Sequence, residues 1–66
     1  MSSKEAWIGA RVTVLNVHGR PEFRGLDGVV EQVYGHPDYR ALEVRLENGK
    51  RELFWHHELE RERNLV

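Results

Sequence analysis

Cysteine is absent from the 66-residue chain, so no disulfide staples it and no thiolate is on hand as a nucleophile. That absence fits a reducing compartment. Serine is confined to Ser2 and Ser3, in an N-terminal stretch without clear periodicity, where no base could hold a hydroxyl rigidly enough for acyl transfer. Nowhere is there an apolar run of the roughly 20 residues needed to cross a bilayer, and the first residues lack a signal-peptide core. A protein that is soluble, cytoplasmic and away from membranes is the expectation. Charge of one sign is missing too. Ten Lys and Arg face eleven Asp and Glu, for a net charge of -1, which gives no general pull toward nucleic acid or anionic lipid.

Chemistry that needs a constellation fares no better. The histidines are His18, His36, His56 and His57. Zinc needs three or four ligands converging on one point, and neighbours such as His56 and His57 would point to opposite faces of a strand. Gly25-Leu26-Asp27-Gly28 reads as a turn rather than a phosphate-binding loop. No catalytic residue, metal or cofactor is expected.

What the chain does have is strand periodicity. From Ala10 to Val17, Val12 and Val14 alternate with Arg11 and Thr13, the period of a half-buried strand. His18 to Asp27, with Gly19, Pro21 and Gly25, is a long loop. Gly28 to Tyr34 is a second strand in which Val30 and Val33 share a face only if a bulge falls near Glu31 and Gln32. Gly35-His36-Pro37-Asp38 is turn chemistry. In Ala41 to Glu47, Leu42, Val44 and Leu46 alternate with Glu43, Arg45 and Glu47, and Asn48-Gly49 follows as a hairpin signal before Arg51 to Trp55.

Two registers fit that hairpin. A two-residue Asn48-Gly49 loop sets Arg45 opposite Glu52, Val44 opposite Leu53 and Leu42 opposite Trp55. A longer turn with a bulge buries Phe54 instead. After Trp55, one helical turn with Leu59 tucked beneath the sheet completes the pattern. The expected organisation is a lead-in over 1–8, one domain over 9–60 and a tail over 61–66. The fold class is all-β: four to five short antiparallel strands rolled into a small barrel.

Glu47-Asn48-Gly49-Lys50-Arg51-Glu52-Leu53-Phe54 resembles the distal hairpin of SH3 domains. The wider pattern is similar to bacterial and plastid SH3-like barrels: Gly9-x-x-Val12-x-Val14, Gly25-x-x-Gly28-x-Val30-x-x-Val33, Leu42-x-Val44-x-Leu46 and Phe54-x-x-x-Glu58-Leu59. Among these are the SH3-like protein of photosystem I, the variable chain of ferredoxin–thioredoxin reductase and KOW modules. The resemblance implies a non-catalytic adaptor or regulatory subunit. The Tyr-rich motif and Trp pair with which eukaryotic SH3 domains read Pro-rich peptides are missing, and Trp55 stands where their late Pro would fall.

Six aromatics exceed what so small an interior holds, and surplus Trp and Tyr are typical of interface hot spots. Phe23, Tyr34, Tyr39, Trp55 and His56 are therefore the candidate protein-binding residues. The alternative ligand is nucleic acid. Arg20 and Arg24 would contact phosphates, Phe23 between them would stack a base, and Arg40 would widen the patch. Self-association is a third reading, because a thin core gains from partner surface.

Overall fold

The computed structural model describes residues 1–16 and 19–62. Val17, His18 and the tail from residue 63 onward lie outside the described residues, including the expected last residue of the first strand. Five strands form one antiparallel sheet: β1 (Arg11–Val14), β2 (Asp27–His36), β3 (Tyr39–Leu46), β4 (Arg51–Trp55) and β5 (Leu59–Arg61). Their order across the sheet is β4-β3-β2-β1-β5. Short 3₁₀ turns at Ser3–Glu5, Pro21–Phe23 and His56–Glu58 are the helical elements among the described residues.

The all-β class is as the alternation implies, but the sheet does not close. β5 is three residues long and pairs with β1, Val14 opposite Leu59. The His56–Glu58 turn joins β4 to β5 around the end of the sheet in place of a ladder. β4 and β5 therefore remain as its two edges.

The buried side chains follow the period of two. Val12 and Val14 from β1, Val30 from β2, Leu42, Val44 and Leu46 from β3, Phe54 and Leu59 point to one side, with Phe23, Ala6 and Ala10 closing over them. The expected bulge is present. Pairing shifts between Val30, opposite Val44, and Gln32, opposite Glu43, so Glu31 is the extra residue and Val33 returns to the core side. Just before the bulge, β2 and β3 approach closely at Gly28. A Cβ there would lie 2.5 Å from Val44 Cγ1 and 2.8 Å from the Arg45 carbonyl oxygen, so only glycine fits.

The β3–β4 hairpin takes the longer turn. Leu42 faces Phe54 and Ala41 faces Trp55. The Gly49 N–H donates to the Leu46 carbonyl and the Leu46 N–H to that of Lys50, each at 2.8 Å. Gly49 sits at φ 86°, the left-handed bulge position that ends a three-residue loop. The two-residue register, with Leu42 opposite Trp55 and Arg45 opposite Glu52, is thereby overturned. The extra residue shifts β4 by one and exchanges its faces. Phe54 is 2% exposed and Trp55 46%.

The N-terminal stretch lies against the sheet. Ala6 is buried, and the Met1 amino group donates to the Leu59 and His56 carbonyls.

Candidate functional site

The alternation that buries Leu42, Val44 and Leu46 turns Ala41, Glu43 and Arg45 to the opposite face. The ladders fix their neighbours. Tyr34 on β2 and Trp55 on β4 flank Ala41, while Gln32 and Leu53 flank Glu43. A small side chain, Ala41, thus sits between two rings in the ladder. Tyr39, at the start of β3, lies with its ring centroid 4.7 Å from that of Trp55. Tyr34, Tyr39, Leu53 and Trp55 are all large, apolar and exposed, and Leu53 is the most open of them at 62%.

Polar contacts hold these rings in place. The Tyr34 hydroxyl donates to Glu43 Oε2 at 3.2 Å. Its pKa is raised because the neutral phenol is the form that donates to the carboxylate, and ionisation would set two anions side by side. The Tyr39 hydroxyl shares a hydrogen bond of 2.7 Å with His57 Nε2, and its ring meets His56 edge-on at 5.3 Å. His56 faces inward, with Nδ1 3.0 Å from the Met1 carbonyl oxygen. Its Nε2 is buried without a hydrogen-bond partner among the described residues. At the far end of the face, Glu31 at the bulge takes Arg51 at 2.8 Å and Arg45 at 3.8 Å.

Of the candidate protein-binding residues, Tyr34, Tyr39, Trp55 and His56 are thus brought to one region. Phe23 is not. Its ring is buried in the core and packs edge-on against Phe54, centroids 5.7 Å apart. The base-stacking platform foreseen between Arg20 and Arg24 is therefore not offered to solvent. The Pro21–Phe23 turn folds the ring inward, and this long-range packing left no local trace in the loop.

Arg20 lies over the Phe23 ring at 4.2 Å and pairs with Glu22 at 3.2 Å and Glu52 at 3.6 Å. Arg24 follows the 3₁₀ turn as an exposed residue. Arg40 belongs to the other hairpin, with Nε 3.5 Å from the Pro37 carbonyl oxygen. Beside β4 the aromatic face runs into a cleft of about 320 Å³ lined by Arg20, Ala41, Leu53, Phe54, Trp55 and Glu58.

Ala41, Leu53 and His57 were not singled out from the sequence. Ala41 was within reach of parity, as the one small residue on the outward phase of β3. Leu53 depends on the hairpin register and His57 on a contact eighteen residues away. Among the described residues no group of three His, Asp or Glu side chains is placed to hold a metal ion, and no helix is long and apolar enough to cross a membrane. Comparison with protein-family models, with curated proteins and with solved structures returns no match.

Proposed function

We propose that this chain is a non-catalytic SH3-like adaptor that docks a protein partner on the outer face of β2-β3-β4. The observation that carries the reading is the exposed aromatic cluster around Ala41, with Tyr34 and Trp55 as its ladder neighbours and Tyr39 against Trp55. Amphipathic rings held by hydrogen bonds lose little entropy on binding, and such rings dominate interface energetics. The partner feature that fits is an apolar side chain seated on Ala41, with backbone or side-chain polar groups meeting the Tyr34 and Tyr39 hydroxyls. The long loop after β1, the strand order and the 3₁₀ turn between β4 and β5 support the SH3-like assignment. The burial of Phe23 removes the stacking ring from the nucleic-acid alternative.

The test uses a photo-crosslinking amino acid in place of Tyr34, with the same group at Lys4 on the N-terminal turn as control. A protein captured at Tyr34 and not at Lys4 is then purified and titrated. Trp55→Ala and Ala41→Arg should each weaken it at least about tenfold, as expected for truncating or crowding a hot spot. Equal capture at both positions overturns the reading. So does salt-dependent RNA or DNA binding that is lost in Arg20→Ala/Arg24→Ala.

A further inference from the structure

The outer edge of β4 carries backbone groups whose spacing matches a second copy of itself. The Leu46 N–H to Lys50 carbonyl bond sets the phase of the β3–β4 ladder. Lys50, Glu52 and Phe54 turn their backbone groups toward β3, so Arg51, Leu53 and Trp55 turn theirs outward. Among the described residues β4 ends the sheet on that side, with a cleft beside it. Trp55 N–H is already taken by Glu58 Oε1 at 2.7 Å. Among the described residues, the groups still open are both polar groups of Arg51 and of Leu53 and the Trp55 carbonyl.

Exposed edges are normally blunted by Lys, Pro or a bulge. β4 has no Lys, Pro or bulge, though it is short and carries Arg51 and Glu52, and its central residue is the open Leu53. We infer that β4 pairs antiparallel with β4 of a second copy across a two-fold axis through Leu53. In that register Leu53 exchanges both hydrogen bonds with the partner's Leu53, and Arg51 N–H donates to the carbonyl of the partner's Trp55. Because Trp55 N–H is held by Glu58, the carbonyl of the partner's Arg51 is left to solvent in this register.

The outer-face side chains are compatible with the same register. Leu53 packs on its symmetry mate, while the Arg51 guanidinium stays across the sheet on Glu31 at 2.8 Å. No like charges meet on that face. A foreign extended peptide would satisfy the same backbone groups, but the self-register alone follows from the sequence of β4, and an isologous contact closes at two copies. The inference does not depend on the adaptor reading, since it is argued from the backbone phase of β4 and the exposure of Leu53.

Pairing through one short strand is a small contact, so dissociation belongs in the micromolar range or weaker. Sedimentation velocity from micromolar to near-millimolar protein should show the mass doubling and then stopping. Leu53→Lys sets like charges opposite each other on an exposed position and should weaken the dimer about tenfold or more while leaving the circular dichroism unchanged. Leu53→Cys, in a chain with no other cysteine, should oxidise to a covalent dimer, because opposed residues at about 5.5 Å lie within disulfide range. Lys50→Cys, off the axis, should not.

A monomer at every concentration overturns the inference, as does a dimer that Leu53→Lys leaves intact. Open-ended growth in mass, the mark of β4 pairing with β5 of another copy, overturns it as well. Partner binding that survives Ala41→Arg, with self-association intact, would sink the adaptor reading alone.

Discussion

Replacing Phe54 and Trp55 one at a time separates core from surface along β4 and tests the register on which the candidate site depends. Phe54 is 2% exposed and meets Phe23 edge-on. Removing a buried Phe ring costs about 3–5 kcal/mol through lost transfer energy and the cavity left behind. At about 0.05–0.15 kcal/mol per residue, a chain of this size has about 3–10 kcal/mol of total stability, so Phe54→Ala consumes a large share of it. Trp55 is half in water and its principal packing is one tilted contact with Tyr39, which places Trp55→Ala at about 1 kcal/mol. Urea unfolding followed by circular dichroism reads both without relying on the lost indole. With m of about 1 kcal/mol/M for so small a domain, the midpoint should fall by about 3 M or more in Phe54→Ala and by about 1 M in Trp55→Ala. Phe54→Leu, which keeps most of the volume, supplies an intermediate loss if the alanine variant is unfolded from the start. Equal losses at the two positions, or a larger loss at Trp55, would refute the three-residue turn and the docking face built on it.

Gly28→Ala should lower stability by about 2–3 kcal/mol, because its methyl meets the Arg45 carbonyl oxygen, a backbone atom that cannot turn aside. Gly19→Ala, with open space around it, is the control and should change thermal denaturation little. Tyr34 should ionise above the ordinary phenol value of about 10, and Glu43→Gln should bring it back down in an absorbance titration. A folded-state pKa raised in this way means that the tyrosine's stabilising contribution is whole below the unfolded value and is lost as pH climbs through the folded one. The Glu43→Gln variant should therefore lose less stability than wild type above about pH 10.

Much of β2 and β3 was legible from apolar spacing alone. Val30 and Val33, three apart, demanded the bulge that Glu31 supplies, and Leu42, Val44 and Leu46 announced their strand directly. The hairpin was legible as an event but not in its register. Asn48-Gly49 serves both a two-residue turn and a type I turn closed by glycine, and Lys50 carries no apolar mark to choose between them. β5 was invisible as a strand because Glu60 and Arg61 are polar and exposed, and it is held by backbone pairing to β1. The aromatic face lay further out of reach. Tyr39 and Trp55 are sixteen positions apart, and their stacking follows only once the turn has set which side of β4 faces out.

That turn also bears on how this chain can change over generations. Hairpin tips are usually where a sequence tolerates gained or lost residues most easily. Here Glu47-Asn48-Gly49 meters the phase of everything after it. Losing one residue would hand Trp55 to the interior and Phe54 to solvent, abolishing core and binding face in one step, whereas inserting two would preserve both. Descendants of this chain should therefore vary in loop length at the β3–β4 tip by even numbers. Odd changes should survive only with compensating exchanges along the whole of β4.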